Sequence, residues 1–292
     1  MKNNNKFNLW FVFKNKIIIL KKILKKYKGI TIGGLFLSIL FLSSLIIPWT
    51  KFNDYNPDKP NYPIREGISS KHWLGTDASG YDLFSRVLAG TKISLRISVL
   101  SILISASIGT FLGLISGYFR GFIDSIINFI CDILIIFPDI LLAIIIMLFL
   151  KRSEFTLIFI LVITNLVTFI KGVRSNVLQI KQKDFIKASK ALGSSDLKII
   201  KKHILINIWP FLITKIVMGI TINILVISGF GFIGLGLDQQ IPEWGNILQS
   251  SRSDFRFYPH LFFGPFIIIF LTSFSLNLII QDLVSYFNPK KN

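Results

Sequence analysis

The chain has 292 residues, 52% hydrophobic and only 16% charged, with a mean hydropathy of +0.62. Its apolar residues fall in runs of about 17 to 25 that avoid the charges, the length needed to cross roughly 30 Å of hydrocarbon, whereas a soluble domain carries about a quarter charged residues spread along it. This composition excludes a soluble enzyme. The formal net charge of +18 raises nucleic acid as a partner, but placement argues against it. Nine lysines and no acids occupy residues 1–28, and nine more basic residues lie between Lys171 and Lys202 against Asp184 and Asp196. Basic clusters flanking apolar runs read as cytoplasmic segments of a membrane protein.

In chain order, the basic stretch 1–28 is expected in the cytoplasm and 29–49 as the first transmembrane helix. That run exceeds a signal-peptide core and lacks a small-residue cleavage site, so it is read as uncleaved. Residues 50–93 form an external segment broken by Pro57, Pro60 and Pro63 and carrying His72-Trp73-Leu74-Gly75-Thr76-Asp77. A core follows over 94–288, with further spans near 94–118, 126–150, 155–172, 209–233 and 261–284, a cytoplasmic loop at 173–208 and an external segment at 235–260. Six spans return the C-terminus to the cytoplasm, and the inside segments then hold roughly twice the basic residues of the outside ones. The fold class is all-α, a polytopic membrane protein.

In the second span, Ser101, Ser105, Gly109, Gly113, Gly117 and Gly121 recur every fourth residue, a stripe that lets another helix approach closely. The approaching helix belongs either to this chain or to a second one. Gly229, Gly231 and Gly234 fit a dinucleotide-binding glycine pattern, but no strand precedes them, and the absence of any Gly-Lys pair excludes a phosphate-binding P-loop. With a single cysteine, Cys131, and with His72, His203 and His260 far apart, no disulfide or metal site is expected.

Between the fourth and fifth spans, Asp184 is expected to cap a short helix that Gly193 ends, since glycine tolerates the left-handed conformation after a helix. Phe185, Ala188 and Leu192 then share one face, Lys183, Lys187 and Lys190 project elsewhere, and a second helix starts near Asp196 and runs towards Pro210. Such an apolar face suits a groove on a partner protein or a surface of anionic headgroups. Within the spans, Thr214, Thr221 and Ser228 lie seven apart, and Ser273, Asn277 and Gln281 four apart. These polar stripes line a translocation path or hydrogen-bond helices together. Lys215 is expected to snorkel to the cytosolic interface, and Asp132 and Asp139 to face protein or water.

The run Lys187-Ala188-Ser189, then Gly193, then His203-Ile204-Leu205-Ile206 resembles the EAA loop of binding-protein-dependent ABC importer permeases. His72 to Arg86, Gly109 to Asp124, Phe232 to Gly236 and Pro242 to Leu248 resemble segments of the oligopeptide, dipeptide and nickel branch, in its second-permease type. The chain departs from that pattern with Lys187 for the family glutamate, Ser189 for the second alanine, Ile206 for a proline, and Tyr81 where Gly-Arg-Asp is usual. The resemblance implies a type I ABC importer permease fold in a bacterial plasma (inner) membrane, with both termini cytoplasmic. It implies a homologous second permease, two cytosolic ATPase subunits docking at the 184–193 loop, and an external binding protein that delivers peptide. ATP and Mg would be bound by the ATPase partners and no cofactor by this chain, whose only other contacts are with lipid. Nickel or a metal chelate is the alternative cargo. A secondary transporter or channel fits less well because no internal repeat is found, and an anchor or scaffold would leave the polar stripes without a role.

Overall fold

A computed structural model describes residues 26–46 and 62–288. Most of the lysine-rich N-terminus, Pro57 and Pro60 lie outside these residues. The helices are α1 (Lys28–Ile46), α2 (Leu83–Phe119), α3 (Gly121–Ile136), α4 (Asp139–Phe149), α5 (Glu154–Lys181), α6 (Asp184–Ala191), α7 (Asp196–Ile199), α8 (Leu205–Phe232), α9 (Trp244–Ser250) and α10 (Pro259–Phe287). Among the described residues no strand forms, and a lone antiparallel bridge joins Thr76 to Asp82.

Four spans differ from the sequence expectation, the fourth, expected over 155–172, by running on to Lys181 through part of the segment expected as a loop. The second helix starts at Leu83 rather than 94, because the Asp82 side chain accepts from the Ser85 amide and caps it there. Its polar first turns hide it from a hydropathy reading. The third span, expected as one run over 126–150, is two helices, α3 and α4, at 91° to each other. Pro138 sits at the break, and a residue before proline is pushed out of the helical region, as Phe137 is at φ −83°, ψ 121°. The fifth span and the helix expected from Asp196 are continuous: α7, a π-helical turn over Ile200–Ile204 and α8 follow without interruption. Pro210 lies inside α8, where Thr214 Oγ1 donates to the Pro210 carbonyl at 2.9 Å.

Among the described residues five helices are long and apolar enough to cross a bilayer alone. The broken pair supplies a sixth crossing, because its two ends lie at opposite ends of α5. Asp124, at the start of α3, receives two bonds of 2.7 Å from Arg174 near the end of α5. Ala143 and Ile146 of α4 pack with Leu157, Ile160 and Leu161 near its beginning.

The small-residue stripe sets the closest helix pair. A Cβ added at Gly113 would lie 2.8 Å from both the Ile170 carbonyl oxygen and Val173 Cβ of α5, and one at Gly117 2.8 Å from Val177 Cβ. Ser105 Oγ donates to the Val162 carbonyl at 3.2 Å on the same helix. The helix that approaches the stripe is thus this chain's own α5. Gly121 leaves the stripe: at φ +70° it turns the chain between α2 and α3.

The segments 62–82 and 233–258 fold against each other over one end of the bundle. His72 Nδ1 lies 2.9 Å from Asp82 Oδ2, and Arg86 pairs with Asp77 while donating to the Gln239 carbonyl at 3.2 Å. Glu243 is fully buried, caps α9 through the amides of Gly245 and Asn246, and accepts from Ser94 Oγ of α2 at 3.2 Å. The Gly231 and Gly236 backbones touch each other and the turn at Gly245–Asn246. Of the glycines at 229–236, Gly231 and Gly236 serve this close approach and Gly234 turns the chain at φ +85°, so the spacing that mimicked a nucleotide motif has a packing origin.

Candidate coupling helix and transmembrane groove

The α6 helix is held by one side and offers the other. Ile186 is 3% exposed and packs with Ile180, Ile199 and Ile204, whereas Phe185 is 43% and Leu192 86% exposed, with Ala188 exposed between them. Gly193 ends the unit at φ +78°, where the Ser194 amide donates to the Ser189 carbonyl at 3.1 Å. A Cβ there would meet nothing within 4 Å, so the backbone angle alone calls for glycine. The expected cap is displaced by one residue. Lys183 occupies the N-cap without a side-chain bond, and Asp184 lies in the first turn beside Lys187 at 3.2 Å. Both partners of that pair are highly exposed, so it adds little stability.

Ser189 is half-buried, its Oγ 3.5 Å from His203 Nε2 on the π turn, and the Phe185 ring lies 6.2 Å from the His203 ring. Below them, Tyr118 at the end of α2 donates its hydroxyl to Asp196, and its carbonyl accepts from Lys181 Nζ at 2.6 Å. The loop is therefore fastened to α2, α5 and α8 together. Ile186 and Tyr118 were missed by sequence reasoning, which had no signal for Tyr118 and, for Ile186, only its position opposite the apolar face.

The polar residues expected along a path are dispersed. Thr221 donates to the Val217 carbonyl at 3.2 Å, and Asn277 to the Ser273 carbonyl at 3.1 Å. The buried hydroxyls of Ser228 and Ser273 find no partner among the described residues. Among the described residues, three cavities open along α5, the central one shared with α2, α4 and α8, a second with α3 and α4, and a third with α8 and α10, and Thr221, Ser228, Ser273 and Asn277 line none of these three. The central one, about 140 Å³, is lined by Asp139, Thr164, Asn165, Thr168, Lys215 and Asn223 among others. It shares Asp139, Thr164 and Thr168 with a neighbour of about 420 Å³, and Lys215 and Met218 with another of about 470 Å³ that Thr214 also lines. Together they form one groove. Lys215 of α8 lines two of these cavities, one of which also reaches Asn207, Pro210 and Asn288 at the helix ends.

Of the acids in the broken crossing, Asp124 is bound by Arg174, Ser116 and Asn128, and Asp132 by Lys171 at 2.6 Å. Asn165 Nδ2 donates to Asn223 Oδ1 at 2.9 Å, and Asn223 Nδ2 to Ser101 Oγ at 2.9 Å, so part of the groove wall is a hydrogen-bonded bridge between α5, α8 and α2.

Six crossings among the described residues, one of them broken beside a polar groove, and an anchored loop with an exposed apolar face define a multi-pass membrane protein. The chain belongs to the family described as binding-protein-dependent transport system inner membrane component, whose model matches residues 109–292. It is 35% identical over 256 residues to the glutathione transport system permease protein GsiD of Pectobacterium atrosepticum, covering 88% of this chain and 84% of that protein. To the protein of the same name from Escherichia coli strain 536 it is 36% identical over 258 residues, covering 88% and 85%. The fold is shared with a chain of the MetNI methionine ABC transporter solved in inward-facing conformations, at a TM-score of 0.52 and 17% identity, covering 68% of this chain and 95% of that one. The chain is thus an inner-membrane permease subunit of a binding-protein-dependent ABC importer, a transport component rather than an enzyme.

Proposed function

We propose that this chain forms half of a translocation path for peptides, paired with a homologous permease and fed by an external binding protein, with two cytosolic ATPase subunits docking on α6. Glutathione, named for its relatives, is itself a short peptide, which supports peptide over nickel as cargo. Both termini and α6 face the cytosol in this reading. The observation that carries it is the opposition within α6 of a buried anchor, Ile186, to an exposed Phe185, Ala188 and Leu192. A helix fixed on one face and apolar on the other transmits a push from a partner's groove to the crossings it is fastened to. Closure of the ATPases on ATP then displaces α6, Asp184 to Ala191, and with it α5 and α8, exposing the path alternately to each side.

The test is Ala188→Glu, which places an unpaired charge in the docked face where desolvation costs several kcal/mol. Membrane insertion and pairing with the second permease are retained, the ATPases fail to co-purify, and uptake is lost. Retention of the ATPases with normal uptake would mean that α6 rests on lipid headgroups. Uptake by the wild-type complex with its binding protein, offered a tripeptide or Ni²⁺ in parallel, decides the cargo.

A further inference from the structure

The central cavity sits where α4 begins at the break beside Pro138, against the middle of α5 and α8. Charges at this depth are costly unless paired or facing water. Lys171, on the wall of one outer cavity, is already neutralised by Asp132 at 2.6 Å. Asp139 and Lys215 are not: both line the central cavity, from α4 and α8, and neither has an ion-pair or hydrogen-bond partner for its charged group among the described residues. The same cavity is lined by Thr164, Thr168 and the bonded pair Asn165–Asn223, whose oxygens and hydroxyls add neutral hydrogen-bonding groups. A carboxylate from α4, an ammonium from α8 and neutral hydrogen-bonding groups lining the same cavity match a molecule that carries both charges and an amide backbone.

We propose that Asp139 and Lys215 form a transient zwitterion site, in which Asp139 accepts the α-ammonium and Lys215 receives the α-carboxylate of a passing short peptide. The site rests on the peptide reading above and extends it to named residues of this chain. Two charge-assisted bonds of opposite sign favour free termini over blocked ones. The outer cavities, which share Asp139 on one side and Lys215 on the other, give the peptide a way in and out.

The experiment uses the complete importer in proteoliposomes and a radiolabelled tripeptide with free termini. Asp139→Asn and Lys215→Gln, each in a complex recovered with all its partners, are expected to lower uptake about tenfold or more, the loss of one charge-assisted bond, and Asp139→Glu to restore most of it. A tripeptide with a photoreactive group beside its amino end should crosslink to α4 near Asp139, and one labelled at its carboxyl end to α8 near Lys215. Unchanged uptake in both neutral variants, or crosslinks confined to other helices, would overturn the site while leaving the peptide reading intact. Loss of the second permease from either variant would also overturn it, since the charges would then be pairing across the subunit interface. Failure of the wild-type complex to take up any tripeptide would reject the peptide reading itself, and the site with it.

Discussion

At the residue scale, Glu243 shows how a buried acid can join elements and carry a pH dependence. Burial raises its pKa from 4.5 to about 7, against the opposing effect of the bonds it accepts from Gly245, Asn246 and Ser94. Between those values the folded state holds a proton that the unfolded chain has released. Stability therefore declines as pH rises from 4.5 towards 7, is level above that, and is free of the cost at or below 4.5. Glu243→Gln keeps an acceptor for the two amides and an uncharged group towards Ser94. Its thermal midpoint in detergent, relative to wild type, is expected to be higher at about pH 8 than at about pH 5. An equal difference at both values would show that the carboxyl does not titrate in this window. The motif Pro242 to Leu248 marked this segment in the sequence, but only the fold shows that Glu243 reaches Ser94 and that Trp244 Nε1 reaches the Val87 carbonyl at 2.9 Å.

At the element scale, the α2–α5 contact rests on glycines that leave no space for a side chain. Gly113→Leu drives a branched side chain into the Ile170 carbonyl and Val173, so the helices must separate. Overpacking of this kind costs about 1–3 kcal/mol or more, and the variant is expected to show a lower thermal midpoint and reduced abundance in the membrane. Phe111→Leu, at a 63% exposed position of the same helix, is the control and should be mild. Normal abundance and midpoint in Gly113→Leu would mean that α5 does not lie on the stripe. The four-residue spacing was legible because small side chains at one helical face have few other uses; the identity of the facing helix was not, because spacing on one helix says nothing about its neighbour.

At the scale of the whole molecule, the six crossings and the fastening of α6 to Tyr118, Ile204 and His203 place the coupling loop at one end and the joined 62–82 and 233–258 segments at the other. Replacing buried Cys131 with Ala allows single reporter cysteines elsewhere. Ser70→Cys is expected to react with an impermeant thiol reagent added to intact cells, and Lys190→Cys only after the membrane is permeabilised. Labelling at 190 from outside would invert the topology and overturn the proposed docking of ATPase subunits on α6.

The sequence by itself determined that the bilayer is the solvent, where most crossings run, that a short helix ended by Gly193 lies in a basic stretch between two of them, and which family the chain resembles. These follow from hydropathy, charge placement and motifs, all properties of residues close together in the chain. Tertiary structure decided what depends on rotation about helix axes and on distant pairing. Pro138 marked a break, but not its 91° angle. Asp132 found Lys171, Asp124 found Arg174, and Asp139 and Lys215 came to share a cavity across 76 residues of chain. A polar residue in an apolar span looks the same in sequence whether it faces lipid, a neighbouring helix or a water-filled groove, and only the packing of α4, α5 and α8 separates these cases.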